Sequence, residues 1–401
     1  MLFSRLWPLF ISCFFLVAGY EFIRSPSVSL FQAAYSPSAT PYLMVMLPVF
    51  SFSLLYLYGR ILTRFGPRRT FSLTALASGV GTFLLEEMIH VGWGWATGLL
   101  FLFRETYIVI VLEQMWSLLD SIINEEEAKS VNAWFTALTS IGSIGAGFMV
   151  GALAVKWGTL AMLNLGALTF LPTIWFMNLC YRKNETRIVV TELKKENVSH
   201  TTGFQYFEQY QVLRYLFLIS FIAQLVSTTT GLHFQEKLHS SFPNTDTQTA
   251  YSGNFYAIMN IGSMLFQMAL APFLLRRISP PVVQLLVPLV QIGFAVIAWQ
   301  TGTLLSVSLL FGLFKSLDYS LYRSSKEILF IALPFDVRYR TKGWIDVIGY
   351  RTAKGVGSVG FAVLGYLGFT LSNWYGSVAL VCFVIWTYVA FRLVRSQRKV
   401  T

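Results

Sequence analysis

Residues Gly59 to Arg69 read GRILTRFGPRR, four arginines set between the apolar runs LMVMLPVFSFSLLYLY and TFSLTALASGVGTFLL. A short cationic turn between two long apolar runs is the pattern of two membrane-crossing helices joined outside the bilayer. The rest of the chain agrees with this reading. It is 55% hydrophobic and 12% charged, whereas soluble domains carry about 25% charged residues. Windows of roughly 17 to 25 apolar residues can be drawn near 6–32, 41–62, 70–89, 97–121, 129–154 and 159–181, then near 212–235, 250–275, 281–300, 303–325, 343–369 and 374–394. The expected architecture is an all-α membrane protein with twelve transmembrane helices.

The connecting segments support the count. One set of ends holds Arg5; Arg60, Arg64, Arg68 and Arg69; Arg182, Lys183 and Arg187; Arg276 and Arg277; Arg338, Arg340 and Lys342; and Arg392 and Arg395. The opposite set holds little beyond Lys156 and Lys237. Lys and Arg in short loops favour the cytoplasmic side, so both termini are expected there, in a bacterial inner membrane. The net charge of +11 is then topology, and it does not argue for nucleic acid. The sequons at Asn184 and Asn197 fall in an expected cytoplasmic segment, where no glycan is added. The opening MLFSRLWPLFISCFFLVAG has the charge order of a signal peptide but no small-residue cleavage site, and reads as a retained helix. Cys13, Cys180 and Cys382 are scattered without metal spacing.

The sustained polar interval, residues 182–211, separates six expected helices (1–181) from six more (212–401). The halves echo one another. Arg68-Arg69 is matched by Arg276-Arg277, and IGSIGAGFMVGALA in the fifth span by VGSVGFAVLGYLG in the eleventh. Parallel repeats of this kind build many transporters, although small-residue packing between helices produces similar strings. The GRILTRFGPRR loop resembles the major facilitator superfamily signature Gly-x-Leu-x-Asp-Arg-x-Gly-Arg-Arg through Gly59, Leu62, Arg64, Gly66, Arg68 and Arg69, with Thr63 in place of the Asp. The resemblance implies a 6+6 pseudo-symmetric bundle, with Gly59, Arg64, Gly66 and Arg68 in a conformational loop.

A charge at the bilayer centre costs at least about 2.5 kcal/mol, so its location is informative. The first span carries Glu21 and Arg24; the fourth Arg104, Glu105, Glu113 and Asp120; the tenth Lys315, Asp318, Arg323, Lys326 and Glu327; the eleventh Asp346, Arg351 and Lys354. The seventh offers Gln224, Ser227, Thr228, Thr229, Thr230 and His233. In the major facilitator fold, spans one, four, seven and ten line the central cavity. At 100° per residue, Lys315, Asp318, Tyr322 and Lys326 share one stripe. Arg and Lys there suit phosphate or carboxylate ligands. Two roles stay open at this point, because Glu21 with Arg24 and Lys315 with Asp318 are also spaced to pair with each other.

The segment SLYRSSKEILFIALPFDVRYRTKGWIDVIGYRTAKGVGS, Ser320 to Ser358, resembles the nucleotide transporter (ATP/ADP antiporter) family of plastids and obligate intracellular bacteria. Lys326, Glu327, Lys342, Gly343, Asp346, Arg351, Lys354 and Ser358 carry the match, with thinner echoes at YEFIR (Tyr20–Arg24), Glu105, Trp116 and Glu127-Ala128-Lys129. The chain departs from the family where its Lys-Asp pair gives way to Ser27 and Val28, and where a Glu-x-x-Trp-Lys gives way to Gly231, Phe234 and Gln235.

Together these readings imply a monomeric secondary transporter of nucleotides or related phosphorylated anions, working by alternating access, with no cofactor and no metal. Arg24, Glu105, Lys315, Asp318, Lys326, Arg351 and Lys354 are the substrate-binding candidates. Glu21, Glu113, Glu327 and Asp346 are the coupling or gating candidates, with a proton or a counter-substrate as the coupled species. The alternative is a proton-coupled carrier of a different organic anion. A non-transporting scaffold or receptor would have no need to retain the buried charges. An enzyme is disfavoured by the lack of any metal cluster, nucleophile elbow or P-loop motif, so a nucleotide would be cargo rather than fuel.

Overall fold

The computed structural model describes residues 2–123, 125–185, 205–334, 337–338, 341–342 and 344–397, and the regular elements among them are helical. In an apolar medium backbone groups have only each other as partners, so a chain of this composition satisfies them within helices. The earlier helices are α1 (Leu2–Tyr35), α2 (Thr40–His90), α3 (Trp95–Ile122), α4 (Glu125–Trp157), α5 (Thr159–Leu168) and α6 (Phe170–Lys183). The later ones are α7 (Gln211–Ser241), α8 (Thr245–Leu265), α9 (Ala271–Arg277), α10 (Pro280–Thr301), α11 (Leu304–Leu317), α12 (Arg323–Ile331), α13 (Tyr350–Tyr366) and α14 (Ser372–Gln397). Described π-helical turns at Phe266–Leu270 and Asp318–Tyr322 join α8 to α9 and α11 to α12, and a third, Trp344–Gly349, leads into α13.

Ten described stretches are long and apolar enough to cross a bilayer. One of them, Pro37–His90, covers both the second and the third expected spans, and the eleventh expected span coincides with the π turn and α13, outside those ten. Twelve crossings are compatible with this layout. Large apolar side chains stand on the exterior, among them Val49, Trp157, Trp175 and Tyr366. A soluble surface does not expose apolar area on this scale. The protein is an integral, multi-pass membrane protein.

α2 is one helix only by hydrogen bonding, because it kinks at Gly66, whose φ of 71° and ψ of 169° are open essentially to glycine. Pro67 follows and has no backbone N–H to continue the ladder. The Thr70 hydroxyl donates across the bend to the Ile61 carbonyl at 3.3 Å.

Two compact units emerge. The first contains α1, most of α2, α3 to α6 and Phe242–Ile258; the second contains Pro37–Val45, α7 and the chain from Met259 onward. Most of the expected 182–211 linker lies outside the described residues. Each unit repeats the same packing. In the first, Gly142 of α4 lies so close to Phe14 of α1 that a Cβ would sit 2.8 Å from its carbonyl oxygen. In the second, the corresponding Gly357 of α13 packs on α7, where a Cβ would meet Leu225 at 3.1 Å. Both glycines of the Gly-Ser echo thus make close helix contacts, onto α1 and α7 respectively, as small-residue packing between helices requires.

Candidate functional site

In the first unit α1 presents Tyr20, Glu21 and Arg24 on adjoining turns. Arg24 Nη1 lies 3.3 Å from Glu21 Oε1, and the Glu21 side chain is buried. The Arg24 guanidinium covers the Tyr256 ring of α8, with Cζ 3.4 Å from the ring centroid. From α3, Arg104 Nη2 lies 2.9 Å from Glu105 Oε1, and Nη1 donates to the Tyr20 hydroxyl at 3.4 Å. Tyr20 thus stands between two guanidiniums, 5.7 Å from Arg24 and 5.9 Å from Arg104. The cluster is formally neutral, two arginines against Glu21 and Glu105. Its guanidiniums are planar forks that can exchange a carboxylate for a phosphate without changing geometry.

Arg24, Glu105 and Glu21 are the site candidates expected here from the sequence, and the structure adds Arg104, Tyr20 and Tyr256 to them. Arg104 is buried almost completely, and the cost of burying any guanidinium was the signal available for it. For the tyrosines the background of 16% aromatic residues hid the choice. Glu113 is exposed further along α3, where it interacts with Tyr58.

In the second unit the site candidates lie on a helix that changes type. Lys315, buried at the end of α11, holds Asp318 Oδ2 at 3.5 Å. The π turn begins at Asp318, with the Arg323 N–H donating to the Asp318 carbonyl five residues back. A π turn adds about one residue to the register, about 100° of rotation. The single stripe expected for a regular helix is therefore split after Asp318. Tyr322 turns into the unit, where its hydroxyl meets Ser220 Oγ at 2.9 Å and its ring packs edge-on against Trp386. Gln284 of α10 fixes the distortion by donating to the Tyr322 carbonyl at 3.1 Å and to Ser325 Oγ at 2.8 Å. Beyond it, the half-buried Lys326 places its ammonium 5.5 Å from the Tyr322 ring, while Arg323 is exposed.

Glu327 pairs with Lys342 at 2.7 Å, so two family-motif residues form an ion pair. Lys354 is half-buried on α13, and its carbonyl accepts from Ser358 Oγ at 2.8 Å. The side chains of Asp346 and Arg351 lie outside the described residues. On α7 the polar run looks inward to its own backbone: Thr228, Thr229 and Thr230 donate to the carbonyls four residues earlier at 3.0, 2.9 and 2.7 Å. This back-bonding satisfies hydroxyls in an apolar setting without any ligand.

The GRILTRFGPRR loop is also explicit. Gly59 is half-buried, and no neighbouring atom lies where its Cβ would be. Thr63, at the position of the superfamily's Asp, donates to the Arg60 carbonyl at 2.9 Å. Arg68 Nε donates to Asn178 of α6 at 3.1 Å, and Asn178 in turn donates to Ser72 at 2.8 Å. Arg64 is exposed, with its guanidinium 5.4 Å from the Phe65 ring. The loop is thus tied to α6 through a neutral amide rather than a carboxylate.

No protein-family model matches the chain. Among curated proteins it is 23% identical over 321 residues to ADP,ATP carrier protein 3 of Rickettsia typhi, a match covering 68% of this chain and 64% of that carrier. The chain therefore spans less than two thirds of the length of such relatives. Among solved structures it superposes on a bacterial homologue of the iron transporter ferroportin in an inward-facing state, with a TM-score of 0.74 at 14% identity, covering 98% of this chain and 99% of that one. The nucleoside transporter NupG superposes with a TM-score of 0.72 at 15% identity, with the same coverages of 98% and 99%. At these identities the structural likeness establishes the fold alone, the all-helical fold that these two structures share with this chain.

Proposed function

We propose that this chain, a divergent relative of the ADP,ATP carriers on a major-facilitator-type fold, is a secondary active transporter that works by alternating access on nucleotides or a related phosphorylated anion. The observation that carries the reading is a cationic excess inside apolar helices. The stretch Leu304–Ile331 holds Lys315, Arg323 and Lys326 against Asp318 and Glu327, and α13 holds Arg351 and Lys354 with no acidic residue. Membrane-embedded charge is costly and is retained where it meets a ligand or an ion. Arg24, Lys315, Lys326, Arg351 and Lys354 take the anionic groups in this reading, and Glu105 and Asp318 act as the carboxylates that the substrate displaces.

Glu21 holds Arg24 in the empty carrier. The Glu327–Lys342 pair, with Asp346, closes or releases the site. Glu113 is the more exposed candidate for proton coupling. The protein acts as a monomer in a bacterial inner membrane with both termini cytoplasmic, and transports rather than transforms its substrate. The departures at Ser27, Val28, Gly231, Phe234 and Gln235 favour a second reading, a proton-coupled carrier of another organic anion. Uptake by proteoliposomes carrying Lys326→Ala or Arg351→Ala tests the site. Loss of uptake or a large rise in KM in both is expected, and unchanged kinetics in both would refute the assignment whatever the substrate.

A further inference from the structure

Both arms of α2 and the middle of α3 line a cleft of about 470 Å³ within the first unit, inside the range of about 300 to 1,000 Å³ typical of small-ligand pockets. Its floor is buried and apolar, formed by Tyr107, Ile110 and Val111, while Leu57, Phe65 and Leu73 on its rim are exposed. Thr74 and Ser78 in its wall are already engaged, Thr74 donating to the Thr70 carbonyl at 2.9 Å and Ser78 to the Thr74 carbonyl at 2.8 Å, while the buried Tyr107 hydroxyl in the floor has no hydrogen-bond partner among the described residues. Such walls offer a polar cargo little to bind and suit a hydrocarbon chain. The end nearest the Gly66 kink is different. The Arg64 guanidinium lies 5.4 Å from the ring of Phe65, itself a rim residue, and Arg60 lies 4.8 Å from the Tyr56 ring one turn away. Arg60 and Arg64 are both exposed, two cations against the single Glu113 carboxylate that interacts with the lining residue Tyr58.

We propose that this cleft is a binding site for an anionic phospholipid, with one acyl chain lying between the arms of α2 and the headgroup phosphate held by Arg60 and Arg64. The rim opens through exposed apolar side chains, which in a membrane protein face lipid rather than water. The cations sit at one end only, so a single amphiphile with a phosphate at one end and a chain behind it complements both parts. Such a lipid would bridge the two arms of α2 on either side of the kink, and its departure would free the GRILTRFGPRR loop.

The test is lipid retention by the full-length protein, read by native mass spectrometry after exchange into equal amounts of phosphatidylglycerol and phosphatidylethanolamine with matched chains. Two arginines near a lipid surface support up to roughly a thirtyfold preference for the anionic lipid. Arg60→Gln with Arg64→Gln, both exposed positions, should abolish that preference while total lipid retention persists. Ala77→Phe, which fills the cleft, should remove the tightly held lipid altogether. Arg276→Gln with Arg277→Gln removes the same charge elsewhere and should leave the preference intact. Equal retention of both lipids by the unaltered protein would overturn the proposal, since the cleft would then accept any apolar chain. So would a preference that survives the Arg60 and Arg64 changes, or one lost equally in the Arg276 and Arg277 control.

Discussion

The Arg24 guanidinium carbon lies over Tyr256, 3.4 Å from the centre of its ring. A cation desolvated over an aromatic face gains about 2 kcal/mol, and the same arginine is held on its other side by Glu21. Tyr256→Phe keeps the ring and should leave thermal stability and uptake near those of the unaltered protein. Tyr256→Leu should lower stability by about 1 to 2 kcal/mol, seen as a reduced melting temperature in detergent. Equal effects of Phe and Leu would show that the hydroxyl, rather than the ring face, matters.

The Lys315–Asp318 pair separates a structural role from a transport role. Removing one partner of a fully buried pair costs on the order of 3 kcal/mol, and less where one partner is half-buried, as Asp318 is, whereas replacing both with apolar groups is often neutral. Asp318→Asn should therefore destabilise the protein, and Lys315→Met with Asp318→Leu should restore stability without restoring uptake. Thermal unfolding and proteoliposome uptake on the same preparations check both. Full uptake in the double variant would reduce the pair to a structural element.

Much of the architecture was legible in the sequence because bilayer crossing imposes length, apolarity and loop charge together. Eleven of the expected spans overlap the ten long apolar stretches, whereas the second and third, expected as separate helices joined by a loop, run together across the kink at Gly66. The charges on α1, α3 and the α11–α12 stretch were also legible, since lysine and arginine are conspicuous against an apolar background. The partners were not. Nothing in the spacing of Arg24 specifies Tyr256, which is distant in sequence and one aromatic among many. The π turn at Asp318–Tyr322 was equally hidden, because it depends on Gln284 reaching the Tyr322 carbonyl from α10, a tertiary contact that overrides regular helical periodicity.

The kink at Gly66 makes a sharp prediction about the loop. Its backbone lies in a region that costs a residue with a Cβ about 1 to 3 kcal/mol, although no neighbouring atom lies within 4 Å of where that Cβ would be. Gly66→Ala should therefore destabilise through backbone strain alone. Asn178→Leu, which removes the acceptor of Arg68, should act separately. Additive losses in melting temperature are expected if the kink and the Arg68–Asn178 hydrogen bond are independent, and strong non-additivity would show that one sets the other.

The start of α5 depends on a side chain from α8. Gly158, the preceding residue, supplies no cap, and Asp246 Oδ1 instead accepts from the Thr159 N–H at 2.7 Å and from its hydroxyl at 2.6 Å. Loss of a helix N-terminal acceptor costs roughly 0.5 to 2 kcal/mol. Asp246→Ala should show that loss in chemical or thermal unfolding, and Asp246→Asn, which keeps an acceptor oxygen, should recover most of it.

Uptake by purified protein in proteoliposomes is the most direct test of the account. It should use a labelled panel of nucleotides, sugar phosphates and dicarboxylates, with and without an imposed pH gradient. Saturable uptake of a nucleotide or another phosphorylated anion is expected, accelerated by unlabelled substrate inside the vesicles and abolished by Arg24→Ala. Silence toward every phosphorylated compound, while a dicarboxylate enters in proportion to the pH gradient, would contradict it in favour of a proton-coupled carrier of a different anion.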